Sequence, residues 1–402
     1  MNKAESERLA SQFERLGYEA SASANEADLV LLNSCVVRQS AEDRVLNKLA
    51  NLKALKESHP DMTLAVTGCL VNADTNKLEE RFPQVDYFFK PGEYPHWLES
   101  PPEAVLPEKP NVAAYVPIIQ GCDNFCSYCI VPYRRGREKS RTPQEIVSEV
   151  GELVNRGAKE VTLLGQNVDS YGHDLPEKPD MADLLYELNE IEGLWRIRFL
   201  TNHPKDMSRK LVEAVASLDK VCEQLTLPVQ SGSNEILKAM KRGYSAEHYR
   251  QLVSGIRARI PEIALSTDVL LGFPSETEAN FQETADLLSE LNFDTVHIAA
   301  YSPRPGTFAA RKLADNIPPA EKKRRVEYIE RLQEKIATEI NARLKGKTVE
   351  VLVEGEKKGR WWGRTRTDKL VFFSDSRSCR GKLIKIRVEK TSPWSLQGSV
   401  ES

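Results

Sequence analysis

The chain has 402 residues, 29% of them charged and 40% hydrophobic, and its formal net charge is −3 at pH 7. This length is enough for two or three domains with sizeable cores, and the composition is that of an ordinary globular protein. No apolar run approaches the ~20 residues of a membrane span, and the N-terminus lacks a basic and then apolar signal segment. The seven cysteines, an odd number with three close together, favour metal binding over disulfides and predict a cytoplasmic location.

Residues 1–95 alternate between helix and strand signals, which predicts an open parallel α/β domain. The predicted elements are a helix from Asn2, a strand at 27–34, a helix at 41–57 and strands at 63–68 and 86–89. We expect Asn2 to cap the first helix, with Glu5 completing a capping box. The proline-rich residues 96–110 then predict a linker to the next domain.

Two cysteines follow the longer strands of this first domain. Cys35 and Cys69 each come directly after a predicted strand. The carboxyl ends of parallel strands are where open α/β sheets place their ligand sites. The pattern alone leaves two interpretations open, because a lone cysteine after a strand is usually a small buried hydrophobe.

The densest motif of the chain is the spacing C-x3-C-x2-C at Cys122, Cys126 and Cys129. Three thiolates on one loop can hold three corners of a cubane iron–sulfur cluster. No fourth cysteine follows nearby, so one iron keeps an open position, as catalytic metal sites do. The alternatives are a zinc site or three unrelated core thiols, but a zinc site usually has a second pair of ligands, which is not found close in sequence.

Residues 111–345 continue the alternation of strands and helices. Strands are predicted at 112–119, 159–165, 196–201, 224–229, 263–271 and 294–301. Six such units predict a partial (β/α)6 barrel of TIM type, with its chemistry at the carboxyl ends of the strands. The segments just past those ends are rich in glycine and polar residues, which lets the backbone approach a cofactor closely.

The residues from 346 to 402 change to a period of two, which predicts a small antiparallel β-barrel. From residue 347 onwards this module has 13 Lys and Arg against 7 Asp and Glu, a net charge of +6, so the rest of the chain carries −9. A basic module on an acidic body indicates a polyanion partner. Its candidate RNA-binding residues are Arg364, Arg366, Lys369 and Lys382. Trp361 and Trp362 either contact unpaired bases or fill the barrel.

The cysteine loop resembles that of the radical S-adenosylmethionine (SAM) enzymes. The wording G-C-D-N-F-C-S-Y-C-I-V-P-Y-R-R-G-R-E is similar to the methylthiotransferases, most of all to their MiaB branch. The segments T-L-L-G-Q-N-V-D-S-Y-G, P-V-Q-S-G-S, G-F-P-S-E-T and Y-S-P-R-P-G-T match the same family. The resemblance therefore covers the whole central domain, and the C-terminal module resembles the TRAM domain, an RNA-binding module.

The resemblance implies two [4Fe-4S] clusters. Cys122, Cys126 and Cys129 would hold the one whose open iron binds and cleaves SAM. Cys35 and Cys69 match two of the three ligands of an auxiliary cluster. By their position after the strands, the residues lining the SAM pocket would be Gly165, Gln166 and Asn167, with Gln230, Ser231 and Gly272 deeper in the same face. Tethered to the cysteine loop, Arg134, Arg135 and Arg137 are placed to meet a substrate phosphate.

The resemblance also implies an activity, the addition of a methylthio group to C2 of N6-isopentenyladenosine at position 37 of tRNA. The expected partners are the tRNA anticodon stem-loop and an electron donor such as flavodoxin or ferredoxin, with no membrane, and the protein is expected to be a monomer. Three alternatives stay open: methylthiolation of threonylcarbamoyl-adenosine in tRNA, methylthiolation of a ribosomal-protein aspartate, or a non-catalytic iron–sulfur protein that binds RNA.

One expectation concerns Met1. The family pattern G-C-x-M-N-K-A-E-S-E has a cysteine before the residues with which this chain opens, and an α/β domain of this kind normally opens with a strand. We therefore expect either a translation start upstream of Met1 or an incomplete auxiliary cluster.

Overall fold

The structure is a computed structural model that describes residues 1–34, 39–71, 75–91, 93–98 and 105–401. Its sheets form an N-terminal three-stranded unit, a central unit of six long parallel strands and a C-terminal closed barrel. Cys35 lies outside the described residues, so its ligand role stays a prediction. In the part of the chain that the structure describes, no helix has both the length and the apolarity needed to cross a membrane.

The N-terminal unit is the open parallel sheet that the sequence predicts. Its helices are α1 (Asn2–Arg15), α2 (Gln39–Ser58) and α3 (Thr75–Arg81), with a short 3-10 turn at Ala24–Glu26. Its strands are β1 (Leu29–Ser34), β2 (Thr63–Gly68) and β3 (Tyr87–Phe88). The three strands are parallel and lie in the order β1-β2-β3, so their carboxyl ends share one edge.

The predicted cap of α1 is wrong. Met1 occupies the N-cap position without a side-chain bond, and Asn2 is already helical. The Asn2 amide instead donates to the carbonyl oxygen of Ser34 (2.5 Å) and to the side chain of Asn33 (3.0 Å). Its side-chain oxygen accepts from Arg135 (2.6 Å). The Asn2 side chain therefore links the end of β1 to Arg135 of the central unit. A local sequence pattern does not reveal partners that lie so far away in the chain.

The central unit opens with one strand, followed by two very short strands and one short helix around the cysteine loop, and then alternates regularly. Its strands are β4 (Ala113–Pro117), β5 (Ile119–Gln120), β6 (Lys139–Ser140), β7 (Glu160–Leu164), β8 (Arg196–Phe199), β9 (Gln224–Thr226), β10 (Ala264–Leu271) and β11 (Thr295–Ala300). Its helices are α4 (Val131–Arg135), α5 (Pro143–Asn155), α6 (Met181–Asn189), α7 (Arg209–Ser217), α8 (Asn234–Ala239), α9 (Ala246–Arg259), α10 (Glu278–Leu291), α11 (Phe308–Lys312) and α12 (Pro319–Ala342), with a 3-10 turn at Val168–Ser170. Thr142 caps α5 in a full capping box.

The six long strands form one arc. Strands β4-β7-β8 and β9-β10-β11 are two parallel sheets, and a parallel bridge between Ile197 and Val221 joins them. One continuous core of Val, Leu, Ile and Phe side chains packs the strands against their helices. The partial barrel expected from the sequence is confirmed, and its strand ends form one face on which the cysteine loop sits.

The C-terminal unit is a closed barrel of five strands. They are β12 (Thr348–Lys357), β13 (Arg360–Arg364), β14 (Leu370–Phe373), β15 (Leu383–Thr391) and β16 (Leu396–Val400). Their order is β12-β13-β14-β16-β15, closing back onto β12. Four pairs are antiparallel as predicted, but β14 and β16 are parallel, because a ring with an odd number of strands cannot alternate direction all the way round.

The turn between β13 and β14 joins this barrel to the central unit. Arg198 on β8 donates to the carbonyl oxygens of Thr365 (2.6 Å) and Arg366 (2.7 Å), and to the Glu160 carboxylate (2.9 Å). Arg198 and Glu160 are both buried. Glu160 is the first residue of β7, so the turn covers the amino-terminal ends of the strands, opposite to the face with the cysteine loop.

Two residues predicted to bind RNA take part in this junction. Arg366 forms a two-pronged ion pair with Glu223, with both N–O distances at 2.8 Å. Lys369 binds Asp294 at 2.6 Å, and both side chains are largely buried. Glu223 and Asp294 directly precede β9 and β11. Both cations are thus bound within the junction between the barrel and the central unit, and we leave them out of the RNA surface that we propose.

Candidate active site

The cysteine loop leaves the carboxyl end of β4 and returns through β6. At its start Gly121 has φ 84°, and a Cβ there would lie 2.0 Å from the carbonyl oxygen of Arg137. Only glycine tolerates both the left-handed conformation and this contact. Gly121 therefore brings the two ends of the loop together, and the loop between them holds all three cysteines.

The three thiols differ in exposure but lie close enough to influence one another. Cys126 is buried, while Cys122 and Cys129 are half-buried. The Cys129 amide donates to the carbonyl oxygen of Cys126 (3.0 Å). Burial, and then the neighbouring Cys126, raise the pKa of Cys129 to about 12. Burial also raises the pKa of Cys122. Metal binding has to displace the protons of the thiols that become its ligands.

The arrangement does not favour a single-ion metal site. Among the residues that the structure describes, no three His, Cys, Asp or Glu side chains converge as ligands of one ion. A cubane cluster takes one thiolate for each iron, so its ligands do not have to meet at a point. The donor set of three thiols on one loop fits such a cluster.

Gly165, Gln166 and Asn167 lie beside the loop, as predicted. The Gln166 side chain accepts from the Gly121 amide (2.6 Å). A Cβ at Gly165 would lie 2.4 Å from the side chain of Ile119, so the strand end can approach β5 only without a side chain there. Asn167 is buried, and its side-chain oxygen has no hydrogen-bond partner among the described residues. That oxygen is an acceptor available to a ligand.

A polar network connects the loop to the end of β8. Asp206 accepts from Asn167 (2.8 Å) and lies 3.5 Å from the Asn124 amide nitrogen. Lys205 donates to the side-chain oxygen of Asn124 (2.7 Å). Because Asn124 lies between the first two cysteines, this network fixes the loop against the strand ends. Sequence analysis did not find Asp206 or Lys205, whose only local signal was the polar segment after β8.

Asp169 holds the same segment, the one that follows β8, through two hydrogen bonds. It accepts from the His203 backbone amide (2.8 Å) and from the Asn202 side chain (2.5 Å). Burial raises the pKa of Asp169 to about 7, although these hydrogen bonds act in the opposite direction. Burial, with nearby cations, lowers the pKa of His203 to about 2. The histidine is therefore neutral at physiological pH, whereas Asp169 titrates close to physiological pH.

The three residues predicted to lie deeper in this face are packed against helices and strands. Gln230 has φ 68° at the end of its strand segment. Ser231 is buried and lies 3.3 Å from the Thr284 hydroxyl of α10. Gly272 has φ 70°, and a Cβ there would lie 2.4 Å from the Lys322 side chain of α12. These contacts shape the strand ends, and contact of these residues with SAM stays a prediction.

Arg242 is the site residue that the sequence analysis missed. It lies in the turn after α8 and is buried, and its guanidinium donates to the sulfur of Cys126 at an N–S distance of 3.3 Å. The two residues are 116 positions apart. The sequence holds no signal for this contact beyond the position of Arg242 just after the polar segment that follows β9.

The second cysteine site lies at the carboxyl edge of the N-terminal sheet. Ser34 and Gly68 are register partners on β1 and β2, so Cys35 and Cys69 each follow a residue of the same pair. Gly68 has φ 90°, and a Cβ there would lie 2.4 Å from the carbonyl oxygen of Ser34. Cys69 is buried, and its amide donates to that same oxygen (2.9 Å).

Helix α4, which directly follows the three loop cysteines, lies against this edge. Burial lowers the pKa of Arg134, while the nearby Glu42 carboxylate and Cys69 thiol act in the opposite direction. Arg304, from the segment after β11, is buried and pairs with Glu42. Helix α4 is linked to this edge through Asn2, which accepts from Arg135 and donates to the Ser34 carbonyl oxygen. A cavity of about 960 Å³ adjoins the loop, and its wall includes Arg135.

Known protein families match this chain in all three of its units. Residues 116–288 match the Radical SAM superfamily, residues 1–90 match the Uncharacterized protein family UPF0004, and residues 342–400 match the TRAM domain. The chain is 55% identical to a tRNA-2-methylthio-N(6)-dimethylallyladenosine synthase of Dehalococcoides mccartyi, covering 100% of this chain and 96% of that protein. It is 48% identical to the synthase of the same name from Chloroflexus aurantiacus, covering 99% and 89%.

The chain belongs to the radical SAM methylthiotransferase family. Its fold is also similar to that of a solved radical SAM methyltransferase, TsrM from Kitasatospora setae with cobalamin and a [4Fe-4S] cluster bound. That likeness has a TM-score of 0.52 at 16% identity, and it covers 74% of this chain and 68% of the other. Membership in the radical SAM family implies a [4Fe-4S] cluster and SAM. The resemblance stated from the sequence is thus confirmed at the level of the family.

The methylthiotransferase has two basic surfaces on which its predicted RNA contacts lie. On the cysteine loop Arg137 is exposed and forms a two-pronged pair with Asp123 (2.6 and 2.9 Å). On the C-terminal barrel Lys382 is exposed, and Arg364 is partly exposed and binds Asp368 (3.1 Å).

The two adjacent tryptophans of the barrel face opposite ways. Trp361 pairs with the buried Phe373, packs against the barrel core and donates to the carbonyl oxygen of Asp375 (3.0 Å). Trp362 pairs with Phe372 on the outer face. The Arg360 guanidinium lies 5.5 Å from the centre of the Phe372 ring. The first tryptophan therefore fills the barrel, and the second lies on an aromatic and basic outer surface.

Proposed function

We propose that this methylthiotransferase replaces the hydrogen at C2 of N6-isopentenyladenosine, at position 37 of tRNA, with a methylthio group. The observation that carries the proposal is the position of α4. It follows the three loop cysteines directly, and its Arg135 binds Asn2, whose amide donates to the same Ser34 carbonyl oxygen as the Cys69 amide. A site that generates a radical and a site that holds sulfur must lie close to the same carbon atom, and the position of this helix supports such an arrangement.

In this proposal Cys122, Cys126 and Cys129 hold the SAM-cleaving cluster. The glycines at positions 121 and 165 let the ends of the cysteine loop and the strand ends pack closely against each other, which holds the loop in place. The buried side-chain oxygen of Asn167 accepts a hydrogen bond from SAM. When bound, the cluster and two SAM molecules supply the radical that removes the C2 hydrogen and the methyl group of the product. Such chemistry is needed because no side-chain base readily removes a proton from this aromatic carbon.

Cys69 and Cys35 are the proposed protein ligands of the auxiliary cluster, which carries or donates the sulfur. The support from the described residues is the Ser34–Gly68 register pair, because each cysteine follows one member of it. In this proposal the two cysteines lie at one edge of the sheet, where open α/β sheets place their ligand sites. That edge lies against α4, on the side of the loop cysteines.

The proposed RNA surface has two parts. Near the chemistry, Arg134, Arg135 and Arg137 bind the phosphates that flank the target base. On the barrel, Arg364 and Lys382 lie on the module that also presents Arg360, Trp362 and Phe372 on its outer face. Aromatic rings stack on unpaired bases, while the cations supply affinity that depends on salt.

The test is nucleoside mass spectrometry of tRNA from a strain that lacks this gene. Unmethylthiolated isopentenyladenosine should accumulate, and the intact gene should restore the 2-methylthio form. A Cys126→Ser variant should not restore it. Cys222→Ser, which removes a buried thiol outside the loop, is the matched control and should restore it. An unchanged level of the 2-methylthio nucleoside in the deletion strain, with loss of a different modification, would contradict the proposal.

A further inference from the structure

Arg242 is held rigidly next to one of the loop cysteines. Only 5% of its surface is exposed. One terminal nitrogen donates to the Cys126 sulfur (3.3 Å), and the other donates to the carbonyl oxygen of Pro228 (3.0 Å). The remaining nitrogen, Nε, donates to the Tyr244 hydroxyl (2.9 Å). These three hydrogen bonds give the guanidinium one defined orientation, and the Cys126 sulfur is one of its three acceptors.

No carboxylate pairs with Arg242 among the described residues. The other buried arginines of the central unit do have such partners. Arg198 pairs with Glu160 (2.9 Å), and Arg325 pairs with Glu276 (2.7 Å). A buried charge without a counter-ion is costly, because the protein interior solvates it poorly. The Cys126 sulfur, which accepts from Arg242, becomes an anion once it is a metal-bound thiolate.

The turn that holds Arg242 is also bonded to the cysteine loop by a second route. The Ser127 amide donates to the carbonyl oxygen of Met240 (2.9 Å), and the Ser127 hydroxyl donates to that of Ala239 (2.8 Å). Ser127 directly follows Cys126. These two bonds fix the distance between the guanidinium and the cysteine, so the contact does not depend on a flexible side chain alone.

We propose that Arg242 is a positioning residue that raises the reduction potential of the cluster held by Cys126. The inference rests on the proposed function, because it takes Cys126 as a cluster ligand. When a one-electron donor such as a flavodoxin, or dithionite, gives its electron to the cluster, the cluster gains one negative charge. A fixed cation and an N–H···S hydrogen bond stabilise that charge, and both are established determinants of cluster potential. Arg242 thereby makes the electron transfer that precedes SAM cleavage more favourable.

The test is a redox titration of the anaerobically reconstituted full-length chain, followed by electron paramagnetic resonance of the reduced cluster. Arg242→Gln should shift the reduction equilibrium at least tenfold toward the oxidised form, which is about 59 mV for a one-electron couple. Arg242→Lys keeps the charge and should lie between the wild type and Arg242→Gln. Lys241→Gln removes an adjacent but exposed cation, whose charge water screens, and it should match the wild type.

Two results would overturn the inference. One is an Arg242→Gln protein with full iron content and an unchanged midpoint potential. The other is an Arg242→Lys protein whose potential falls as far as that of Arg242→Gln, since the charge would then not be the cause. A wild type that assembles no cluster would instead refute the proposed function itself.

If Arg242→Gln does not assemble a cluster, a measurement on the wild type decides. In protein labelled with 15N-arginine, the reduced cluster should show a hyperfine coupling to 15N. Arg242→Lys protein labelled in the same way should lose that coupling. No 15N coupling in the wild type would overturn the inference.

Discussion

Arg198 is the side chain on which we expect the junction between the central unit and the barrel to depend most. It is buried and donates to a buried carboxylate, that of Glu160, and to the two backbone carbonyls of the turn at Thr365 and Arg366. Arg198→Met keeps most of the volume but removes all of these donors. It leaves Glu160 as a buried charge without a partner and leaves the carbonyl oxygen of Arg366 without its hydrogen bond, whereas that of Thr365 still accepts from the Asp368 amide (3.0 Å).

The magnitude follows from these contacts. Removing one partner of a buried ion pair costs about 3–5 kcal/mol, mostly because the other charge stays buried. We therefore expect Arg198→Met to lower the free energy of unfolding of the junction by about 3–5 kcal/mol. Adding Glu160→Gln to the same protein removes the uncompensated charge and should recover at least about 1 kcal/mol, although the carbonyl oxygen of Arg366 stays without its hydrogen bond.

Urea unfolding followed by tryptophan fluorescence measures this, because three of the five tryptophans lie in the C-terminal barrel. The matched control is Arg387→Met, which removes an exposed arginine from β15. If Arg198→Met unfolds within about 0.5 kcal/mol of this control, the spread normal for surface substitutions, the reasoning is wrong. The same contacts mean that RNA binding is better tested by surface substitution than by removing the barrel, which would expose Arg198 and Glu160.

Three further predictions test other parts of the molecule. Gly121→Ala should retain less iron after reconstitution than Gly136→Ala; both positions have positive φ, but only a Cβ at 121 meets backbone, so equal iron contents would contradict this. The wild type should lose thermal stability as pH rises from about 4 to about 7, because the pKa of Asp169 is raised to about 7 and the folded state keeps a proton that the unfolded state has released. Asp169→Asn should not show this loss. Parallel stability profiles of the two proteins would refute the prediction. Trp362→Ala should weaken tRNA binding by about 1–3 kcal/mol at an unchanged melting temperature, whereas Trp361→Ala should lower the melting temperature, and loss of affinity only in the second variant would reverse the assignment.

The architecture of the central unit could be predicted because each strand and helix carries a local signal. The alternation of apolar runs with capped helices fixes the order of elements, and observed and predicted strands begin within one residue of each other. The ends agree less well. The strand predicted at 224–229 ends at Thr226, because the backbone then leaves regular pairing and reaches Gln230 in a left-handed conformation. A hydrophobic pattern does not reveal such a change.

The partners of charged side chains could not be predicted. Arg366 and Lys369 have the composition of an RNA-binding turn, yet Glu223 and Asp294, distant in sequence, bind them at the junction. Arg242 has no local feature that distinguishes it from a surface arginine. In each case the decisive fact is which distant element packs nearby, and that is set by the tertiary fold.

The two adjacent tryptophans show how the pairing register of one strand determines which side chain faces the barrel interior. Side chains alternate across a strand, so Trp361 and Trp362 must face opposite sides of the barrel wall. The sequence alone does not say which one faces inward. The pairing of Trp361 with the buried Phe373 settles it.

The central claim is that this chain replaces the C2 hydrogen of isopentenyladenosine in tRNA through radical chemistry. Its most direct test is an anaerobic reaction of the cluster-loaded chain with SAM, dithionite and tRNA that carries this nucleoside with deuterium at C2. We expect the 2-methylthio nucleoside in the tRNA and the deuterium in 5′-deoxyadenosine. Cleavage of SAM by the loaded protein with no methylthio product, or a product formed with no deuterium in 5′-deoxyadenosine, would contradict the claim.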